Sequence, residues 1–175
     1  MASILNVDQI NNAAGTSAVT LDPSTGKASF PNGAVLPAGS VLQVTPLSTS
    51  TSNDSYQSNS FVDITGLSVT MTPLAASSDI YVIYSFVNYH LPGGGGGIQV
   101  MQDGSAVANQ GTNPSYENYT GQSDLYSRLH KTVLVSAGNT NSRTYTLQIR
   151  TYSSVTLNAN PGGTQSFMYA MEVAR

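Results

Sequence analysis

The segment Ile80–Tyr89 places the tightest constraint on the fold. Successive side chains of an extended chain point to opposite sides. Ile80, Val82, Tyr84 and Phe86 therefore share one face, and Tyr81, Ile83, Val87 and Tyr89 share the other. A strand in a sheet with one wet face alternates apolar with polar residues. Here both faces are apolar or aromatic, so both need cover. One face is expected to form the core. The second is expected to meet another sheet, the N-terminal segment or another subunit, which makes Tyr81, Ile83, Val87 and Tyr89 the candidate subunit-interface residues.

The chain from Val41 onward carries similar signals. Val41–Thr45 reads as a short strand, and Phe61–Ile64 and Leu67–Met71 flank Gly66 as two more. Ile98–Asp103 resumes an extended pattern and runs into Asp103-Gly104, a hairpin-type turn. Leu129, Val133 and Val135 alternate; Tyr145, Leu147 and Ile149 are expected to point inward, with Thr144, Thr146 and Gln148 outward. Phe167, Tyr169, Met171 and Val173 share one face of the last strand. About eight short strands, punctuated by Gly, Pro, Asn and Ser and lacking sustained helical periodicity, predict an all-β fold. The expected architecture is an antiparallel β-sandwich, jelly-roll-like, over residues 41–175. Gly93–Gly97 reads as a loop, and Asn109–Asp124 as a long polar loop. Residues 1–40 read as an extended N-terminal arm and attachment segment, whose apolar teeth Ile4, Leu5, Val7, Ile10, Phe30 and Leu36 need another surface to bury them.

Composition narrows the function. Charged residues make up 9 % of the 175 residues, against roughly a quarter in ordinary globular proteins. The 6 Lys and Arg do not cluster and the net charge is −3, which argues against nucleic acid, whose binding relies on neutralising many phosphates. A basic membrane-surface patch fails for the same reason, and no apolar run approaches the ~20 residues of a membrane span. The N-terminus lacks the basic and apolar regions of an export signal. There is no Cys, which removes disulfides and thiolate metal sites.

No motif carries a reaction mechanism. Gly93–Gly97 lacks the Gly-Lys-Ser/Thr ending of a phosphate loop, and there is no Gly-x-Ser-x-Gly elbow. His90 and His130 are the only histidines, too few for a zinc site within one subunit; a metal would need one His from each subunit around a threefold axis, with His90 the candidate. Asp54, Asp63, Asp79, Asp103, Glu117 and Asp124 fall mostly at turns and loops, where local hydrogen bonding explains them. No catalytic residue, metal or cofactor is assigned, and the chain is not expected to be an enzyme. Tyr116 and Tyr119, with Asn113, Asn118 and Gln122, offer the rigid amphipathic area and adaptable hydrogen bonding of recognition loops. Gly95, Tyr116 and Tyr119 are the candidate receptor-facing positions.

Several segments carry a resemblance: Ser3-Ile4-Leu5-Asn6-Val7-Asp8-Gln9-Ile10, Ala14-Gly15-Thr16-Ser17-Ala18-Val19-Thr20, Pro37-Ala38-Gly39-Ser40-Val41-Leu42-Gln43-Val44, Ser60-Phe61-Val62-Asp63, Thr65-Gly66-Leu67-Ser68-Val69, and Thr72-Pro73 with Ser77-Ser78-Asp79-Ile80. Together they resemble virion surface proteins of tailed bacteriophages, particularly cyanophages. The resemblance covers Ser3 to Ile80. It implies a trimeric, non-enzymatic, β-rich structural protein of the virion, made in the host cytoplasm. A chain this short leaves no room for a tail-binding domain and shaft, so the expectation is a homotrimeric capsid decoration (cement) protein that binds the major capsid protein, stabilises the shell and aids attachment to a host surface glycan. The alternative is the receptor-binding tip of a tail fibre or tailspike, an adhesin.

Overall fold

The computed structural model describes residues 9–11, 14–15, 17–26, 28–29, 36–90, 95–107, 116–118, 125–152 and 156–175. They divide into two units, Met1–Pro37 and Ala38–Arg175.

Where the sequence suggests an extended arm, the described part of the first unit pairs with itself. β1 (Gln9–Asn11), β2 (Ser17–Leu21) and β3 (Ala28–Ser29) form a three-stranded antiparallel sheet in the order β1-β2-β3. Asp22 organises the turn after β2: its carboxylate accepts the Ser24 and Thr25 N–H groups at 2.8 and 3.0 Å, and its carbonyl accepts the Gly26 N–H at 2.8 Å.

The second unit is an antiparallel β-sandwich. Sheet one holds β7 (Val62–Met71), β9 (Gly95–Gln102), β10 (Ser105–Ala106), β11 (Tyr116–Asn118) and β13 (Arg143–Tyr152). Its order is β10-β9-β13-β7, with β11 also on β9. Sheet two holds β4 (Val41–Val44), β5 (Ser48–Ser50), β6 (Ser55–Tyr56), β8 (Asp79–His90), β12 (Leu125–Ser136), β14 (Leu157–Ala159) and β15 (Ser166–Val173). There β8 is central: β12 pairs along one edge, and β15 and β14 share the other, flanked in turn by β4, β5 and β6. The long strands β7, β8, β9, β12, β13 and β15 alternate between the two sheets along the chain.

The inward faces make one core. Ile64, Leu67, Val69 and Met71 from β7, Ile98 and Val100 from β9, and Tyr145, Leu147 and Ile149 from β13 meet Ile80, Val82, Tyr84 and Phe86 from β8, Val133 from β12, and Met168 and Ala170 from β15. The Phe61–Ile64 and Leu67–Met71 patterns belong to a single strand. Pairing with β13 slips between Asp63 and Ser68, where Gly66 takes a φ of 79°, so Ile64 and Leu67 both reach the core. Asp103 and Gly104, with φ of 49° and 81°, make the tight turn between β9 and β10, the left-handed pair that a two-residue hairpin of this type requires.

Gly95–Gly97 is strand, not loop. These glycines pair with Tyr152, Thr151 and Arg150 on one side and with Asn118, Glu117 and Tyr116 on the other. A Cβ on Gly96 would lie 2.9 Å from Leu157 Cδ1 in the opposite sheet and 3.2 Å from the Arg150 carbonyl. Glycine here lets the sheets approach.

One carboxylate is wholly buried. Glu172 on β15 accepts hydrogen bonds from Ser78 Oγ at 2.5 Å, Gln43 Nε2 at 2.6 Å, the Leu74 N–H at 2.9 Å and the Ala75 N–H at 3.1 Å. Burial opposes its ionisation, but the bonds from Ser78, Leu74, Gln43 and Ala75 outweigh it and hold its pKa below the ordinary 4.5. The carboxylate thus ties β15 to β4 and to the β7–β8 connection.

Two outcomes follow for stability. Glu172→Ala should lower the unfolding free energy by about 3 kcal/mol near neutral pH, because a charged acceptor and its buried donors lose each other. Since the folded-state pKa is depressed, this contribution is complete above the unfolded-state value and is lost as pH falls through the folded one. The gap between wild type and Glu172→Gln in denaturant titrations should therefore narrow below about pH 4. Gly96→Ala should cost about 1–2 kcal/mol through overpacking against Leu157, read in the same titrations as a lower midpoint at unchanged slope.

Candidate interaction face

The sandwich has two outer faces, and they differ in chemistry. The outer face of sheet one is polar. Across β9, β13 and β7, Gln99 Nε2 donates to Gln148 Oε1 at 2.8 Å, and Gln148 Nε2 donates to Asp63 Oδ1 at 2.9 Å. Thr70 and Thr144 share a hydroxyl–hydroxyl bond of 2.9 Å. The Arg150 guanidinium lies 4.6 Å from the Phe61 ring centroid and 4.7 Å from that of Tyr152, covering both rings with charge. Such a face suits water.

The outer face of sheet two carries apolar residues on four strands, interspersed with Ser85, Arg128, His130 and Thr132. Residues directly opposite on adjacent antiparallel strands share a side of the sheet, so the pairings give its rows. Leu134 of β12 lies beside Tyr81 of β8, then Met171 of β15, then Val44 of β4. The next row is Thr132, Ile83 and Tyr169; after it come His130, Ser85, Phe167 and Thr49. A bulge in β4 pairs Val41 with Val173 and Gln43 with Glu172; the extra residue puts Val41 and Val44 on one side. Val44, Leu47, Tyr126 and Leu134 are 53, 55, 67 and 51 % exposed. With strands ~4.8 Å apart and residues ~3.3 Å apart along them, the region from β12 to β4 and from Tyr126 to Leu134 spans roughly 14 by 26 Å.

A groove of about 480 Å³ opens in the middle of this face, lined by Leu47, Ile83, His130, Thr132, Phe167 and Tyr169, with Lys131 and Tyr84 completing it. Charged groups share this face: Lys131 lines the groove, and Arg128 stands on β12 between Tyr126 and His130. Arg128 donates to Ser85 Oγ at 2.9 Å and to the Gln165 carbonyl at 3.3 Å. Asp79, at the end of β8, is paired with Arg175 at 2.8 Å. The arrangement can hold an apolar surface. Among the described residues no group of three or more His, Asp or Glu side chains could hold a metal ion.

The described carboxylates have local duties. Asp54 accepts from Ser52 Oγ at 2.7 Å, the main reason its pKa is lowered. Asp63 and Asp79 are accounted for above, and Asp103 accepts the Thr144 N–H at 2.8 Å.

Of the residues expected at a subunit interface, Tyr81 and Ile83 stand half-buried on the apolar face. Val87 is 7 % exposed, covered within the chain, and its carbonyl accepts the Asn160 N–H. The Tyr89 backbone pairs with Tyr126 and Asn158; its side chain lies outside the described residues. Gly95, expected on a receptor-facing loop, is buried inside β9. Tyr116 lies in β11, paired with Gly97, and Tyr119 lies outside the described residues, as do Ile4, Leu5, Val7 and Phe30. Ile10 and Leu36 are 48 and 44 % exposed. The sequence reading missed Leu47, Val44, Tyr126, Leu134 and the β15 row as parts of one surface. The period-two run Phe167, Tyr169, Met171, Val173 held the signal, but it is the outward side of β15, while Ser166, Met168, Ala170 and Glu172 face in.

No family model matches the chain, and no curated protein matches it.

Proposed function

We propose that this chain is a non-enzymatic structural protein of a tailed-phage virion that works as a homotrimer decorating the capsid surface. The observation that carries the assembly part is the apolar outer face of sheet two, set against the polar outer face of sheet one. A footprint of about 360 Å² lies within the roughly 300–600 Å² of the largest patch on a monomer, which is often functional, and is about half of the ~800 Å² per partner of a standard interface. The virion assignment rests on the resemblance of residues 3–80, and the strand alternation between sheets supports a jelly-roll reading of the sandwich.

In this reading, sheet two faces sister subunits and sheet one faces solvent. The N-terminal unit, with Ile10 and Leu36 exposed, supplies the attachment to the major capsid protein. A protein that binds only the assembled shell stabilises it by mass action. Loops at the ends of the sandwich remain for contact with host surface glycan.

Sedimentation of the full chain should give about 55 kDa, three times its 18.3 kDa, and particles imaged by cryo-electron microscopy should carry it in many copies over the shell. A monomer at all concentrations would refute the trimer; a few copies at the tail tip would refute decoration and favour the adhesin.

A further inference from the structure

We infer that a small monovalent anion of the size of chloride is held between the Arg143 guanidinium and the Tyr145 hydroxyl. The inference is independent of how the chain assembles. It starts from two buried polar groups on one strand, each lacking what the other's guest would supply.

Arg143 and Tyr145 stand two residues apart on the inward face of β13, 5 and 0 % exposed. A guanidinium stays charged, and burying a charge is costly unless an opposite charge meets it. Arg143 gives its hydrogen bonds to neutral oxygens. Nη2 donates to the Asn139 carbonyl at 2.9 Å and to Asn139 Oδ1 at 2.8 Å, and Nε donates to the Asn141 carbonyl at 3.4 Å. These bonds fasten the turn between β12 and β13, where Gly138 takes a φ of 65°, but they bring no negative charge. No described carboxylate forms an ion pair with Arg143.

Tyr145 lacks the complement. Its hydroxyl is buried and has no hydrogen-bond partner among the described residues, although a buried hydroxyl is normally bonded. The two groups are near enough to act on each other: burial raises the Tyr145 pKa, and the Arg143 charge works against that rise. Asp103 also raises it, but Asp103 is exposed and its Oδ1 accepts the Thr144 N–H at 2.8 Å. A water could accept the hydroxyl proton and would leave the cation unbalanced. An anion accepts from the hydroxyl and from the guanidinium at once, in charge-assisted bonds. Nη1, which bonds to no described residue, has donors to give it. The burial of both side chains restricts the guest to a small ion.

Thermal unfolding of the full chain and of Tyr145→Phe, in sodium chloride and in sodium gluconate of equal ionic strength, tests this. The substitution removes the hydroxyl and nothing else, so general salt effects cancel between the two proteins. Wild type should gain melting temperature over Tyr145→Phe as chloride replaces gluconate, because an ion that binds only the folded state stabilises it by mass action. Above saturation each tenfold rise in chloride favours the folded chain tenfold, about 3–5 °C for a chain of this size. Crystals soaked in bromide should show an anomalous peak within hydrogen-bond reach of Tyr145 Oη and the Arg143 guanidinium. The same response to chloride in both proteins would overturn the anion site; if Tyr145→Phe is then less stable by an equal amount in both salts, the acceptor is a buried water. A bromide-soaked crystal with no peak at this position would count against the site equally.

Discussion

The central strand β8 is hydrogen-bonded along both edges and carries apolar side chains on both faces, and the rest of the sandwich is arranged around it. One face supplies Ile80, Val82, Tyr84 and Phe86 to the core shared with sheet one. The other supplies Tyr81 and Ile83 to the centre of a surface flanked by Leu134, Met171 and Tyr169. The covered face holds the domain together. The open one is where the proposed assembly would draw its driving force, because apolar area left in water favours association.

The contrast between the sheets strengthens that reading. Sheet one is finished for solvent, with amide, hydroxyl and carboxylate groups bonding across strands and a guanidinium laid over its aromatic rings. The same chain has buried a carboxylate, Glu172, with a full set of donors, so it handles polar groups well where it needs them. Apolar side chains across four strands of sheet two therefore mark a different environment and not a shortage of polar residues.

Much of the fold could be read locally. Alternation at residues 143–152, the inward face of Ile80, Val82, Tyr84 and Phe86, and the Asp103-Gly104 turn depend on neighbours in sequence, and all three stand as read. What could not be read depends on remote partners. Alternation separates the two sides of β15 without saying which is inside; the decision is made by Ser78, Gln43 and the Leu74 and Ala75 N–H groups that satisfy Glu172, and by Asn160 and the Val87 N–H that bond Ser166 Oγ. A glycine run looks like a loop until the opposite sheet brings Leu157 against Gly96. Gly15, Gly26 and the Asp22 turn fold the early chain back on itself, where a scatter of apolar teeth suggested an arm. The interaction face was half visible for the same reason: Tyr81 and Ile83 share a strand, whereas Leu47, Tyr126 and Leu134 join them only through pairing.

Hydroxyl-radical footprinting of the full chain across a dilution series tests most directly whether the outer face of sheet two is covered in the working state. Tyr126, Phe167, Tyr169 and Met171 should be protected at high concentration and become reactive together on dilution, while Tyr152 on sheet one reacts alike throughout. Equal reactivity of the sheet-two residues at every concentration would contradict a face built for assembly.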